Sequence, residues 1–205
     1  MTVLTDYGLA AVGGALAVAL WARAEGQVSR TLWAACFLAV AVAALAGGTW
    51  HGWSPRMARP TAQHLWLLTY VFMALGNAFI LSGSAWAAAR APLRAALTAA
   101  LVLRFVVWFA LIAHEPDFRY VVYDYAGTLV GLLALAAWLG WRGRPGAGWI
   151  AGGVAVSLAG AVIQRARAAP SPGFNHNDLF HVIQAVGLYL YFQGGRRLED
   201  ADRRK

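Results

Sequence analysis

The sequence predicts an all-α, polytopic membrane protein: a single bundle of seven transmembrane helices. Three observations lead there. Of 205 residues, 60% are hydrophobic and only 13% charged, and the mean hydropathy is +0.54, far from the balance of soluble domains. The apolar residues fall in seven runs, most of them near the ~20 residues that cross roughly 30 Å of hydrocarbon. Short breakers separate many of the runs, among them Ser54-Pro55, Arg59-Pro60, Glu115-Pro116, Arg144-Pro145-Gly146 and Pro170-Ser171-Pro172-Gly173.

The first run, residues 7–21, has no positive residue before it and no clear cleavage site, so it is expected to stay as a span rather than leave as a signal peptide. The second, residues 31–53, holds the only cysteine, Cys36, which excludes a disulfide or a thiolate metal site within one chain. The others cover residues 62–86, 92–114, 118–141, 149–166 and 177–193. Such long, continuous runs exceed barrel strands, and a spanning segment must satisfy its own backbone, so helices follow. The connections are short, no separate soluble domain fits, and residues 1–205 form one unit. The pair Gly127 and Gly131 is spaced for close helix packing, within one chain or between chains.

The formal net charge is +8. In a chain this apolar it reads as loop arginines that orient the protein, not as a nucleic-acid surface. Eleven positive residues lie on the side opposite the N-terminus: Arg23, Arg30, Arg90, Arg94, Arg142, Arg144, Arg196, Arg197, Arg203, Arg204 and Lys205. Five lie on the N-terminal side: Arg56, Arg59, Arg119, Arg165 and Arg167. This predicts a bacterial-type inner-membrane protein with its N-terminus outside and its C-terminus in the cytoplasm. The remaining cation, Arg104, stands mid-way along the fourth run and is expected to pair with a carboxylate or snorkel.

All five histidines, His51, His64, His114, His176 and His181, fall on the outer side. The richest stretch is 174–184, Phe-Asn-His-Asn-Asp-Leu-Phe-His-Val-Ile-Gln, which opens the seventh helix. Ionisable groups at membrane depth usually have a partner or a task, so this stretch is read as closing a polar, metal-binding site. Asn177, His181, Gln184, Leu188 and Tyr191 form one stripe at helical spacing. Asp178, three residues before His181, can reach it. His176 and His181 are five apart, ~140° around a regular helix. His176 converges only from a non-helical start, with Asn175 or Asn177 as the cap. The alternative is that Asn175, Asn177 and Asp178 simply cap the helix.

His51 lies in Gly47-Gly48-Thr49-Trp50-His51-Gly52-Trp53 and reads as a ligand in a tightly packed pocket or as an interfacial histidine beside tryptophans. His64 is an acid/base candidate or a wet helix start, and His114 a loop-edge residue. Asp124 faces the same side and needs a partner, with Arg119 or Arg165 as structural alternatives. Three imidazoles and a water would make an open zinc site whose water ionises near pH 7. Asp124, Asp178 or His64 would then move the proton. No zinc-protease helix motif, phosphate loop, nucleophile elbow or dinucleotide fingerprint is present.

With seven helices, a histidine ending the second and a histidine-rich start to the seventh, the chain resembles the CREST superfamily. That group includes alkaline ceramidases, progestin and adiponectin receptors and Per1-type proteins. The resemblance implies a zinc ion held by one histidine of helix two and two of helix seven, and hydrolysis of a membrane lipid amide. His51 matches the helix-two ligand and His181 the second helix-seven ligand. The family spacing of four would put Asn177 at the first position, so His176 stands in for it. The serine four before the helix-two histidine is Gly47 here, with Thr49 close by, and His64 stands roughly where the family has an aspartate early in helix three.

The expected function is a zinc-dependent membrane hydrolase of a lipid amide or ester, with His51, His176 and His181 on the metal and a membrane lipid as substrate. One alternative is a receptor- or sensor-like bundle with a structural metal or polar cluster. Another is a haem- or proton-handling membrane protein. A transporter is disfavoured because no inverted repeat or broken-helix pair is visible.

Overall fold

The computed structural model describes residues 1–203. Arg204 and Lys205, counted above on the positive side, lie outside the described residues. Seven α-helices follow one another: α1 (Thr2–Trp21), α2 (Val28–Trp53), α3 (Arg59–Ala88), α4 (Leu93–His114), α5 (Phe118–Trp141), α6 (Ala147–Ala166) and α7 (His176–Gly195). The first six are long and apolar enough to cross a membrane. α7 has the length but a more polar composition, because Asn177, Asp178, His181, Gln184 and Gln193 interrupt it.

Each predicted run holds a helix, with ends that differ by up to five residues. The largest difference is at α1, which begins at Thr2 rather than Tyr7. Thr5 belongs to its first turn, and its Oγ1 donates to the Thr2 carbonyl at 3.0 Å. That shift carries Thr5 and Asp6 into regular helix, with consequences for the site below.

Six helices close a ring in which α1 packs on α2, α2 on α3, α3 on α5, α5 on α6, α6 on α7 and α7 back on α1. α4 lies outside the ring against α3, with a lighter contact to α5. Burial follows this plan: 61% of the most apolar window of α2 is buried, against 11% for α4. α2 can sit inside because alanines and glycines alternate with a few large anchors, Trp33 and Phe37 being fully buried. On α4 only Trp108 and Ile112 are buried, and they form a small cluster with Tyr70, Ala74 and Val121.

The chain turns between helices on familiar signals. Asp117 caps α5 by accepting from the Arg119 backbone N–H at 2.8 Å. Gly146 opens α6 with φ +101°, a conformation costly for any residue with a Cβ. α2 lacks a cap of its own and takes one from the far end of the chain. The Asp200 carboxylate accepts from the N–H groups of Val28 (2.7 Å) and Ser29 (2.9 Å). The Asp200 N–H in turn donates to Gln27 Oε1 at 2.8 Å. The C-terminal tail is thereby buttoned to the start of α2, and Asp200 is 2% exposed.

Candidate functional site: a carboxylate between two imidazoles

The start of α1, the end of α2 and the start of α7 meet at one end of the bundle, and their polar side chains converge on Asp6. His51 Nδ1 lies 2.8 Å from Asp6 Oδ2. His181 Nε2 lies 3.2 Å from Asp6 Oδ1. Each carboxylate oxygen thus faces one imidazole, and Asp6 is only 3% exposed. A carboxylate accepts and does not donate, so Asp6 fixes the His51 tautomer with its proton on Nδ1. The lone pair is then on Nε2. His181 is engaged on both nitrogens, since its Nδ1 lies 3.1 Å from Thr5 Oγ1.

This convergence depends on a close helix crossing. A Cβ on Gly48 would stand 2.8 Å from Asp6 Cβ and 2.9 Å from the Tyr7 ring. Glycine there lets α1 lie against α2 with Asp6 in reach of His51, one turn away along α2. Beside it, the Tyr7 hydroxyl and Thr49 Oγ1 are 3.0 Å apart.

α7 is clasped to α1 by its own cap. Asn175 Oδ1 accepts from the N–H groups of Asn177 (2.8 Å) and Asp178 (3.2 Å). Asp178 Oδ2 accepts from the Asn175 N–H at 2.8 Å, completing a capping box. Asp178 Oδ1 faces Thr5 Oγ1 at 3.2 Å, and Asn175 Nδ2 donates to Thr2 Oγ1 at 3.2 Å. Asp178 is fully buried; its Oδ2 is bonded within the cap, and its Oδ1 shares the single Thr5 hydroxyl hydrogen with the Thr2 carbonyl and His181 Nδ1. The capping reading and the convergence reading therefore hold together: the cap orients the helix that presents His181.

An aromatic collar surrounds His51. Its ring lies 5.4 Å from that of Trp50 and 5.9 Å from that of Trp66. Trp66 is itself 4.5 Å from Trp50 and 6.2 Å from Phe118. The His51 side chain remains 25% exposed. A partly exposed imidazole beside two indoles fits a bilayer boundary.

The other candidates lie elsewhere. His176 is the first residue of α7, half-buried, and makes no hydrogen bond or ion pair among the described residues. Asn175, not Asn177, is the cap, so the lead-in that would swing His176 toward His51 and His181 is already helical. His64 and His114 are exposed and, among the described residues, make no hydrogen bond or ion pair with Asp6. Among the described residues, no group of three or more His, Cys, Asp or Glu side chains is placed to hold a metal ion. Of the three predicted ligands, His51 and His181 are brought together on one carboxylate, and His176 makes no hydrogen bond or ion pair with either among the described residues.

Asp124 belongs to a different cluster. Its partner is Arg104 of α4, with Nη2 to Oδ1 2.7 Å, rather than Arg119 or Arg165. Asn77 Nδ2 donates to Asp124 Oδ2 at 2.6 Å, and Arg104 Nη2 donates to Thr128 Oγ1 at 3.0 Å. The α7 stripe extends on either side of His181. Asn177 accepts from Gln164 Nε2 at 2.6 Å, Gln184 Oε1 accepts from the Tyr125 hydroxyl at 3.3 Å, and the Tyr191 hydroxyl meets Ser157 Oγ at 3.2 Å.

The two residues that sequence reasoning missed are Thr5 and Asp6. A signal was present: Asp6 is the only acidic residue before Glu25, and it lies on the side that holds every histidine. Starting the first helix at Tyr7 left it in a supposed tail.

No curated protein and no solved structure matches the chain significantly. The sequence profile of a family of unknown function, DUF6962, matches residues 1–200. With the match running through all seven helices, from the Asp6 end of α1 to the Asp200 cap, the chain belongs to DUF6962.

Proposed function

We propose that the chain is a seven-span membrane hydrolase in which Asp6 and His51 form a general-base dyad acting on a lipid ester or amide at the outer bilayer surface. The observation that carries it is the contact from His51 Nδ1 to Asp6 Oδ2, 2.8 Å. Holding one imidazole nitrogen on a buried carboxylate leaves the other free to take a proton from water and stabilises the imidazolium that forms. The water attacks the lipid carbonyl, and the imidazolium returns the proton to the departing alkoxide or amine. His181 is a positioning residue that holds the second Asp6 oxygen.

The membrane placement has its own support. α7 at 20 residues spans about 30 Å. Its polar stripe is turned inward, while Val182, Val186 and Tyr189 point out, so it suits a seventh span despite its mean polarity. The arginine bias puts the Asp6 end outside. The lipid substrate class rests on the aromatic collar and on the resemblance to CREST hydrolases.

The test is turnover by the purified full-length protein against a panel of lipid esters and amides. Asp6→Asn and His51→Ala are each expected to cut turnover about 10²–10⁴-fold, with the fold retained by circular dichroism. Absence of turnover by the wild type across the panel overturns the proposal. A second reading, a receptor-like bundle in which the cluster is a clasp, is favoured by the engagement of both His181 nitrogens and of Asp178 Oδ2 in the cap. It expects the same substitutions to lower stability while no lipid is hydrolysed.

A further inference from the structure

At the end of the bundle away from Asp6, arginines of α1, α2, the α3–α4 region and the tail are satisfied within the chain. Arg23 donates to the Ala19 carbonyl, Arg30 to the Leu198 carbonyl and to Glu25, Arg90 to the Ala201 carbonyl and Arg203 to the Glu25 carbonyl, while Arg94 pairs with Asp202. The sector formed by the α5–α6 turn and the end of α7 differs. There Arg144 and Arg197 line one cleft with Leu139, Pro145 and Glu199. Arg144 Nη1 lies 3.9 Å from Glu199 Oε2, too far for a hydrogen bond. Arg197 donates from Nη1 to Gln193 of its own helix, and its Nε and Nη2 donate to nothing among the described residues. The Arg142 side chain makes no hydrogen bond or ion pair among the described residues, and its guanidinium lies 4.7 Å from the Trp141 ring centroid. That of Arg197 lies 5.3 Å from the Trp149 centroid. Three arginines thus stand beside a single glutamate, with most of their donors unused.

The surface around them is open. A Cβ on Gly143 or on Gly148 would meet nothing within 4 Å. Trp141 is 78% exposed and Trp149 39%, and tryptophans favour the depth of lipid headgroups. Farther along the same helices, Val130 and Leu133 of α5 and Leu158 and Val162 of α6 are exposed apolar side chains. We propose that this sector binds the phosphate of an anionic phospholipid, with Arg142, Arg144 and Arg197 as donors and the acyl chains along α5 and α6. Surplus positive charge and unused guanidinium donors select an anionic phosphate over a zwitterionic headgroup. The flanking tryptophans and apolar faces select a lipid over a free anion. α5 ends at Trp141 and α6 begins at Ala147, which puts the arginines at the bilayer boundary, where lipid phosphates lie. The site is separate from the Asp6 dyad. It rests on the membrane placement proposed above and not on hydrolysis.

The test compares binding of dioleoyl phosphatidylglycerol and dioleoyl phosphatidylcholine to the full-length protein in non-ionic detergent at low salt, with inorganic phosphate as competitor. The anionic lipid is expected to bind about 25-fold more tightly or better, from two to three arginines at about fivefold each. Inorganic phosphate is expected not to displace it. Arg144→Gln and Arg197→Gln are each expected to weaken phosphatidylglycerol about fivefold and to leave phosphatidylcholine unchanged, which also shows that the fold is kept. Arg23→Gln removes the same charge from the α1 side of the same end and is expected to change neither affinity. Phosphatidylcholine bound as tightly as phosphatidylglycerol, or displacement of the lipid by inorganic phosphate, overturns the proposal. So does an equal loss in Arg23→Gln and Arg144→Gln, which would assign the preference to diffuse surface charge. Binding of neither lipid overturns it together with the membrane placement.

Discussion

Gly48 shows how one missing Cβ sets the chemistry of this bundle. Adding a methyl group there would bring it to 2.8 Å from Asp6 Cβ, and α1 would have to move off α2. Gly48→Ala is expected to cost about 1–3 kcal/mol by overpacking and to break the contact between Asp6 and His51. A lowered unfolding midpoint in detergent, together with lost turnover, is the expected pair of results. An unchanged midpoint would mean that the helices are not held this closely. Asp6 was hard to read in sequence for a related reason. A lone carboxylate five residues from the N-terminus looks like a solvated end until the partner helices bring His51 and His181 to it. His51 and His181 could be singled out by type and side, but which atom each would face depends on helix rotation.

Among the helices, α2 is the most dependent on others. Its first N–H groups are capped by Asp200, 172 residues further along from Val28. Asp200→Ala is expected to destabilise the protein by about 0.5–2 kcal/mol, the usual worth of a lost cap. Asp202→Ala removes only a surface pair with Arg94 and is expected to cost less than about 1 kcal/mol. Thermal unfolding of the two variants side by side checks this, and equal losses would count against the trans cap. No local signal marks such a cap, because Val28 and Asp200 lie at opposite ends of the sequence. The capping box of α7, by contrast, is written in four consecutive residues, Asn175 to Asp178, and was visible as one of two readings. Helix α4 illustrates the remaining case. Its hydropathy alone cannot tell a helix buried in protein from one facing lipid, and only the ring closure of the other six leaves it outside.

For the molecule in its membrane, the testable statement is orientation. In a Cys36→Ala background, Ser171→Cys is expected to react with an impermeant maleimide from the outer face. Arg142→Cys is expected to react only after permeabilisation. Both positions are exposed, so access is decided by side. The opposite pattern would put the Asp6 cluster in the cytoplasm and exclude a substrate from the outer leaflet.

Composition, hydropathy and breaker residues by themselves determined an all-helical chain with seven helices close to the observed ranges, and they singled out His51, His181, Asp124 and Arg104. These properties are local, set by a helix's need to satisfy its backbone and by the cost of placing charge in an apolar run. Only the tertiary structure decided that Asp6 lies between two imidazoles, that His176 has no bond to either among the described residues, and that Asp124 pairs with Arg104. Those outcomes depend on how each helix is rotated and how near it can approach its neighbour. That is settled jointly by glycines, side-chain packing and caps that no single segment contains.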